Sequence, residues 1–265
     1  MKNKTFRIVI IVLSFLLCMY FPKMLISTFN IPGSALFITS LGYPFTLLII
    51  IAALYALYRL NITGIISALG LKKGFSSGLL FGLAATLPMT VGSIILFKFS
   101  DNIFSYDTLV AVIFAPVMEE ILFRGYLFGQ LFKKEGWGFI PASIIASVFF
   151  GIGHLYQSHD LLSASGTFLV TFAGSAWFAW LYLEHNSNLW VPVWLHIFMN
   201  FTGTVFLSGS PGAIGNNITN LLRLITIIIT VVYTIRYSRK HGRKVNRNNL
   251  FINDGKKPVK SASPV

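Results

Sequence analysis

Six polar residues interrupt three otherwise apolar stretches of this chain: Glu119, Glu120 and Arg124 in the first, His154 in the second, His196 and Asn200 in the third. A carboxylate can take a proton from water, and an imidazole can share that work. An imidazole with an amide can stabilise the oxyanion that forms as water attacks a peptide carbonyl. Gathered at one place, these groups describe a hydrolase. Glu120 and Arg124 are four residues apart, hence on one helical face and within reach of each other, which suits an architectural ion pair. Glu119 is turned by about 100° from Glu120 and has no partner in its own helix, so it is the free carboxylate. His196 and Asn200 share a face by the same four-residue spacing. Taken singly, each has a plainer reading: a lone histidine near a helix end is commonly a core residue, and His and Asn commonly act as hydrogen-bond glue between membrane helices. Pro116 removes a backbone hydrogen bond just before Glu119, an interruption tolerated at membrane depth where it lines a cavity. Gly151 and Gly153 let backbone or substrate come close to His154.

The elements that must position these residues are membrane helices. With 55% hydrophobic and 11% charged residues and a mean hydropathy of +0.72, the 265 residues hold too little polar material for a water-facing surface. Stretches of spanning length run at about 6–22, 37–58, 77–97, 106–132, 139–155, 165–183, 190–207 and 218–236. They predict an all-α polytopic membrane protein of about eight transmembrane helices around an intramembrane polar cavity. An ionisable group at that depth costs about 2.5 to 3.5 kcal/mol on insertion scales, which marks the carboxylates as functional. The expected organisation is a helical bundle over 1–236, its motif-bearing part at about 115–201, followed by a basic cytoplasmic tail over 237–265. That tail, rich in Lys, Arg, Asn and Ser, lacks the apolar content to fold alone and is expected to be disordered. The first apolar stretch reads as a retained helix rather than a signal peptide, because Pro22 and Lys23 stand where a small-residue cleavage site would be. The single cysteine, Cys18, rules out an intrachain disulfide.

Charge orients the bundle. With the N-terminus inside, seventeen Lys or Arg fall on the inside, from Lys2, Lys4 and Arg7 through to the tail, against Lys23 and Lys98 outside. The positive-inside rule then predicts cytoplasmic N- and C-termini in the cell membrane. The net charge of +13 is a topology signal that also favours anionic lipid, so the bilayer is a partner and nucleic acid is not.

Glu119-Glu120-x-x-x-Arg124, Phe150-x-x-x-His154 and His196-x-x-x-Asn200, in that order on three apolar segments, resemble the signature of the CAAX-prenyl-protease and bacteriocin-processing (CPBP, or Abi) family of intramembrane endopeptidases. Asn186 to Pro192 resembles the lead-in to that family's third motif. The likeness covers about Ala115 to Phe201. It implies that Glu119 is the general base activating water, that His154 assists it, that His196 with Asn200 stabilises the oxyanion, and that Glu120 and Arg124 support the site. It also implies an eight-helix fold, a cavity open to lipid and cytosol, and a membrane-associated peptide or protein substrate. Glu119, His154 and His196 would make a plausible zinc set. Yet there is no HExxH helix, and Glu120 is the one nearby acidic group to orient such ligands, so no cofactor is favoured. Two other classes fit an intramembrane polar centre: a transporter, against which the polar groups cluster instead of lining a path, and a non-catalytic regulator or bacteriocin-immunity protein, against which every motif residue is present.

Overall fold

The computed structural model describes residues 3–29, 32–207 and 213–253. Five helices, α1 (Lys4–Thr28), α2 (Ala35–Leu41), α3 (Tyr43–Tyr58), α4 (Ile62–Leu69) and α5 (Phe75–Leu96), precede a composite helix over residues 106–133, here α6. It is followed by α7 (Phe139–Gly153), α8 (Leu161–Glu184), α9 (Trp190–Val205) and α10 (Asn217–His241). A two-residue antiparallel pairing of β1 (Lys98–Phe99) with β2 (Phe206–Leu207) ties the end of α5 to the end of α9. Helix starts are written in the sequence. Ser34, Asn61, Asp160 and Asn216 each accept a backbone N–H of the first turn, and Asp160 and Asn216 do so in reciprocal capping boxes with Ser163 and Thr219.

Among the described residues, six segments are long and apolar enough to cross a membrane: Lys4–Phe21, Ala35–Tyr58 (α2 and α3, divided at Gly42), Phe75–Leu96, Phe139–Gln157, Leu161–Glu184 and Asn217–His241. The protein is an all-α, multi-pass integral membrane protein. The two remaining expected spans, 106–132 and 190–207, are helical but of another kind. α9 has only 16 residues, and every residue of α6 from Glu120 to Phe132 is buried. A helix buried on all sides is a core helix, and hydropathy does not distinguish packing against protein from packing against lipid. Here the core runs from Ile11 and Phe15 of α1 and Ile50 and Leu54 of α3, through Phe123, Leu127 and Leu131 of α6, to Ala142 and Ala146 of α7 and Tyr182 of α8.

α5 and α9 meet through Gly78-Leu-Leu-Phe-Gly82, a small-xxx-small spacing. A Cβ at Gly78 would lie 2.6 Å from the Trp190 backbone, and one at Gly82 would lie 3.0 Å from that of Trp194. Side chains there would push α9 outward, and His196 with it.

Of the stretch 237–265 expected as a disordered tail, residues 237–253 are built onto the bundle, and 254–265 lie outside the described residues. α10 continues to His241, and the chain then straps back across the helix ends. Buried Glu184 accepts the backbone N–H groups of Lys244 (3.2 Å) and Val245 (3.0 Å). The carbonyls of Leu250 and Phe251 take the N–H groups of Ile140 and Gly138, at 2.8 and 3.0 Å. A polar segment needs no core of its own when its backbone is satisfied this way. The strap and the N-terminal helix share one end of the bundle. Arg7 Nε donates to both oxygens of Glu135 at 3.0 Å, Tyr58 donates to the same carboxylate at 2.7 Å, and Asn253 N donates to the next carbonyl, that of Gly136, at 2.9 Å.

Candidate active site

The carboxylates sit on a helix of uneven winding. α6 has α-helical turns at Tyr106–Leu109, Ala115–Glu119 and Gly129–Lys133, and wider π turns at Val110–Phe114 and Glu120–Phe128. In the first π stretch the N–H of Ala115 reaches back five residues to Val110. The same register would pair the carbonyl of Ala111 with residue 116, which is a proline and has no N–H. Asn200 supplies the missing donor, its Nδ2 lying 3.0 Å from the Ala111 carbonyl. The proline thus creates the acceptor that Asn200 satisfies, and α6 is fixed to α9 at the level of the site. π turns of this kind recur at functional sites.

The second link between the two helices is His196. Its Nδ1 lies 2.8 Å from Oε1 of Glu120, and that same oxygen accepts Arg124 Nη1 at 2.8 Å. The four-residue pairing of Glu120 with Arg124 read from the sequence is present, and both side chains are buried, at 0% and 1% exposure. The guanidinium lies between two rings, Phe150 of α7 at 4.5 Å and Phe178 of α8 at 5.2 Å, in cation–π geometry. Four helices therefore converge on one ion pair. Phe178 was not among the residues singled out from the sequence. Nothing local distinguishes it from the other aromatics of α8, and only the packing of α8 against α6 selects it.

Glu119 differs from its neighbour as the sequence suggested. Its side chain is 29% exposed, and among the described residues its one ion-pair contact within 4 Å is His196, whose Nε2 stands 3.8 Å from Glu119 Oε2, with Tyr43 and Arg124 also near enough to feel its charge. That is beyond hydrogen-bond length, so carboxylate and imidazole face each other across a space that a small polar group can bridge. Because Nδ1 is committed to Glu120, the tautomer of His196 is set and Nε2 is the nitrogen turned towards Glu119. Charge is balanced as well. With His196 protonated, Glu119, Glu120, Arg124 and His196 sum to zero.

His154 and Asn200 stand one step away. His154 ends α7, with Nδ1 2.7 Å from the Phe150 carbonyl and its ring 4.4 Å from that of Phe150, which leaves Nε2 unengaged. Phe150 thereby joins His154 to Arg124. His196 and Asn200, expected to point together, have parted: the imidazole turns to the carboxylates and one amide N–H to Ala111, while the second N–H of Asn200 is available. Among the described residues no three His, Cys, Asp or Glu side chains are gathered as a metal site, so Glu119, His154 and His196 are not drawn together as a ligand set. Another buried histidine, His185, lies apart beyond the end of α8. Its Nε2 is 3.0 Å from Thr234 Oγ1, and burial, with His241 nearby, pushes its pKa down to about 4.

With this geometry in view, residues 101–202 match the family model "Type II CAAX prenyl endopeptidase Rce1-like". Over 92 residues the chain is 38% identical to the "Putative membrane peptidase YdiL" of Bacillus subtilis (strain 168), covering 35% of this chain and 33% of that protein. The chain thus spans about a third of the length of the curated relative that it matches. No solved structure matches. Glu119, Glu120, Arg124, His154, His196 and Asn200 all fall inside the matched segment. Residues 101–202, and with them the whole carboxylate–histidine centre, are thus similar to CAAX prenyl endopeptidase-like membrane proteins.

Proposed function

We propose that the chain is an intramembrane endopeptidase that hydrolyses a peptide bond of a membrane-associated peptide or protein with water activated by Glu119. The observation that carries this reading is the pairing of a part-exposed, unbonded carboxylate with an imidazole 3.8 Å away whose other nitrogen is fixed by Glu120. A water between them and a scissile carbonyl would give its proton to Glu119. The protonated Nε2 of His196 and the second N–H of Asn200 would meet the oxyanion as it forms. His154, with Nε2 unengaged, would take that proton on from Glu119 and give it to the leaving amine as the C–N bond breaks, which returns Glu119 to its carboxylate form. Glu120 and Arg124 touch no substrate in this scheme. They hold the His196 ring through Nδ1, so that Nε2 stays turned towards Glu119.

Support for a metal-free reading comes from the donors: among the described residues His154 is not grouped with Glu119 and His196, and His196 Nδ1 is taken up by Glu120, whose oxygen also accepts from Arg124. In proteoliposomes, purified protein is expected to cleave a membrane-anchored peptide library internally, before and after dialysis against a strong chelator. Asn200→Ala should slow turnover by about 10²- to 10³-fold, as loss of one oxyanion donor does, with little change in KM. Activity lost to the chelator and restored by stoichiometric zinc would overturn the metal-free reading. No cleavage by the wild type, together with undiminished cellular function of the Glu119→Gln protein, would favour a non-catalytic regulator.

The same reading sets the orientation, with both termini on the cytoplasmic side of the cell membrane. Arg7, Lys72, Lys73, Lys133, Lys134 and the basic strap follow the positive-inside rule. Single cysteines at the exposed positions 72, 134 and 248, beside the inside sites near 70, 135 and 250, should be labelled from the cytoplasm and one at 160 from outside; an inverted pattern would remove the cytosolic access. The outside positions near 30 and 212 lie outside the described residues.

A further inference from the structure

Among the described residues, four buried polar atoms of the site region have no protein partner: Oε2 of Glu120, Nε of Arg124, and the hydroxyls of Ser147 and Ser175. Their residues are at most 1% exposed. Unpaired groups at such depth are costly, and in membrane interiors they are satisfied by other side chains or by ordered water. These four are not scattered. Arg124 lies against Phe150 and Phe178. Ser147 precedes Phe150 by three residues on α7, and Ser175 precedes Phe178 by three on α8, so each serine shares a face with the ring that packs on the guanidinium. Ser147 is eight residues from the start of α7, Ser175 nine from the end of α8, and Arg124 nine from the end of α6. All three are therefore about 12 to 14 Å from the same end of the bundle. α7 and α8 come into close contact one to two turns farther along, where a Cβ at Gly151 would meet the Phe168 ring at 2.7 Å.

We propose that Ser147 and Ser175 hold ordered water against the Nε edge of Arg124, and that they are positioning residues for the Glu120–Arg124–His196 unit. The functional part of this inference rests on the peptidase reading above. Water suits the chemistry: it accepts from Nε–H and from one hydroxyl and donates to the other, which satisfies three groups that have no partner among themselves. Serine is the residue for the task, being small enough for the helix contact while keeping a donor and an acceptor. Held along both edges, the guanidinium cannot swing away from Glu120, and Glu120 cannot release Nδ1 of His196.

The test pairs a map with kinetics on the full chain in nanodiscs. A map at about 2 Å should show water within hydrogen-bond distance of Arg124 Nε and both serine hydroxyls, and lose it in Ser147→Ala and Ser175→Ala. Each variant should turn over about tenfold more slowly at unchanged KM, with a displaced acid limb of the pH–rate profile, which a merely structural loss would not move. Ser143→Ala, which removes a buried hydroxyl on the same helix bonded to the Ile140 carbonyl, should change neither. Wild-type serines bonded to carbonyls of their own helices with no water between them, or variants with the wild-type pH profile and rate, would overturn the proposal. If the wild type cleaves nothing, the peptidase reading fails and the map alone decides the water site, so the two failures are distinguishable.

Discussion

Glu119→Gln is expected to accumulate and fold like the wild type while its cleavage rate falls by about 10²- to 10⁴-fold, the usual worth of a positioned general base. The amide matches the carboxylate in size, and the structure asks little of the charge: among the described residues Glu119 makes no hydrogen bond, is 29% exposed, and has its one ion-pair contact with His196 at 3.8 Å. The stability change should stay within about 0.5 kcal/mol, as for a surface substitution. Rate and thermal stability measured on one preparation decide the matter, because a base that cannot take a proton lowers kcat and kcat/KM together without melting the bundle. A Glu119→Gln protein that unfolds, or one that cleaves normally, would remove Glu119 from the reaction.

The polarity of the site was legible in the sequence, and its wiring was not. An i, i+4 spacing is a local fact, so the Glu120–Arg124 pair could be read directly, as could the absence of a helical partner for Glu119. The partner of His196 is a long-range fact. The imidazole was grouped with Asn200 because they share a face, yet α9 packs alongside α6, so His196 meets the Glu120 carboxylate and Asn200 the Ala111 carbonyl. The π turns that set this register carry no periodicity signal, although Pro116 hints at them. Simple depth counting at about 1.5 Å per residue puts Glu119 deeper than His196, whereas the structure brings them face to face. Wider π turns shorten the rise of α6, and α9 starts inside the protein, its preceding Leu189 being fully buried and bonded through N–H to the Gly70 carbonyl. The strap over residues 244–253 was hidden for a different reason. Its order comes from backbone groups of Gly138, Ile140 and Gly136 and from Glu184, none of which composition reveals.

Removing the neighbouring carboxylate should have the opposite outcome. Glu120→Ala leaves Arg124 at 1% exposure with two aromatic faces and no counter-charge, and an unpaired charge left by breaking a buried pair costs about 3 to 5 kcal/mol. Loss of the Nδ1 acceptor of His196 adds to the damage, since four helices converge there. The variant is expected to accumulate poorly, to melt well below the wild type in detergent, and to be inactive. The double variant Glu120→Leu/Arg124→Leu separates charge from shape: with both ions gone the buried region is apolar, which often restores or exceeds the original stability. It should fold yet stay inactive, because nothing then holds Nδ1 of His196 and the ring is free to turn away from Glu119. A stable, active Glu120→Ala protein would show that the two glutamates had been assigned each other's roles. A double variant that cleaves normally would confine the ion pair to architecture and leave His196 to work without it.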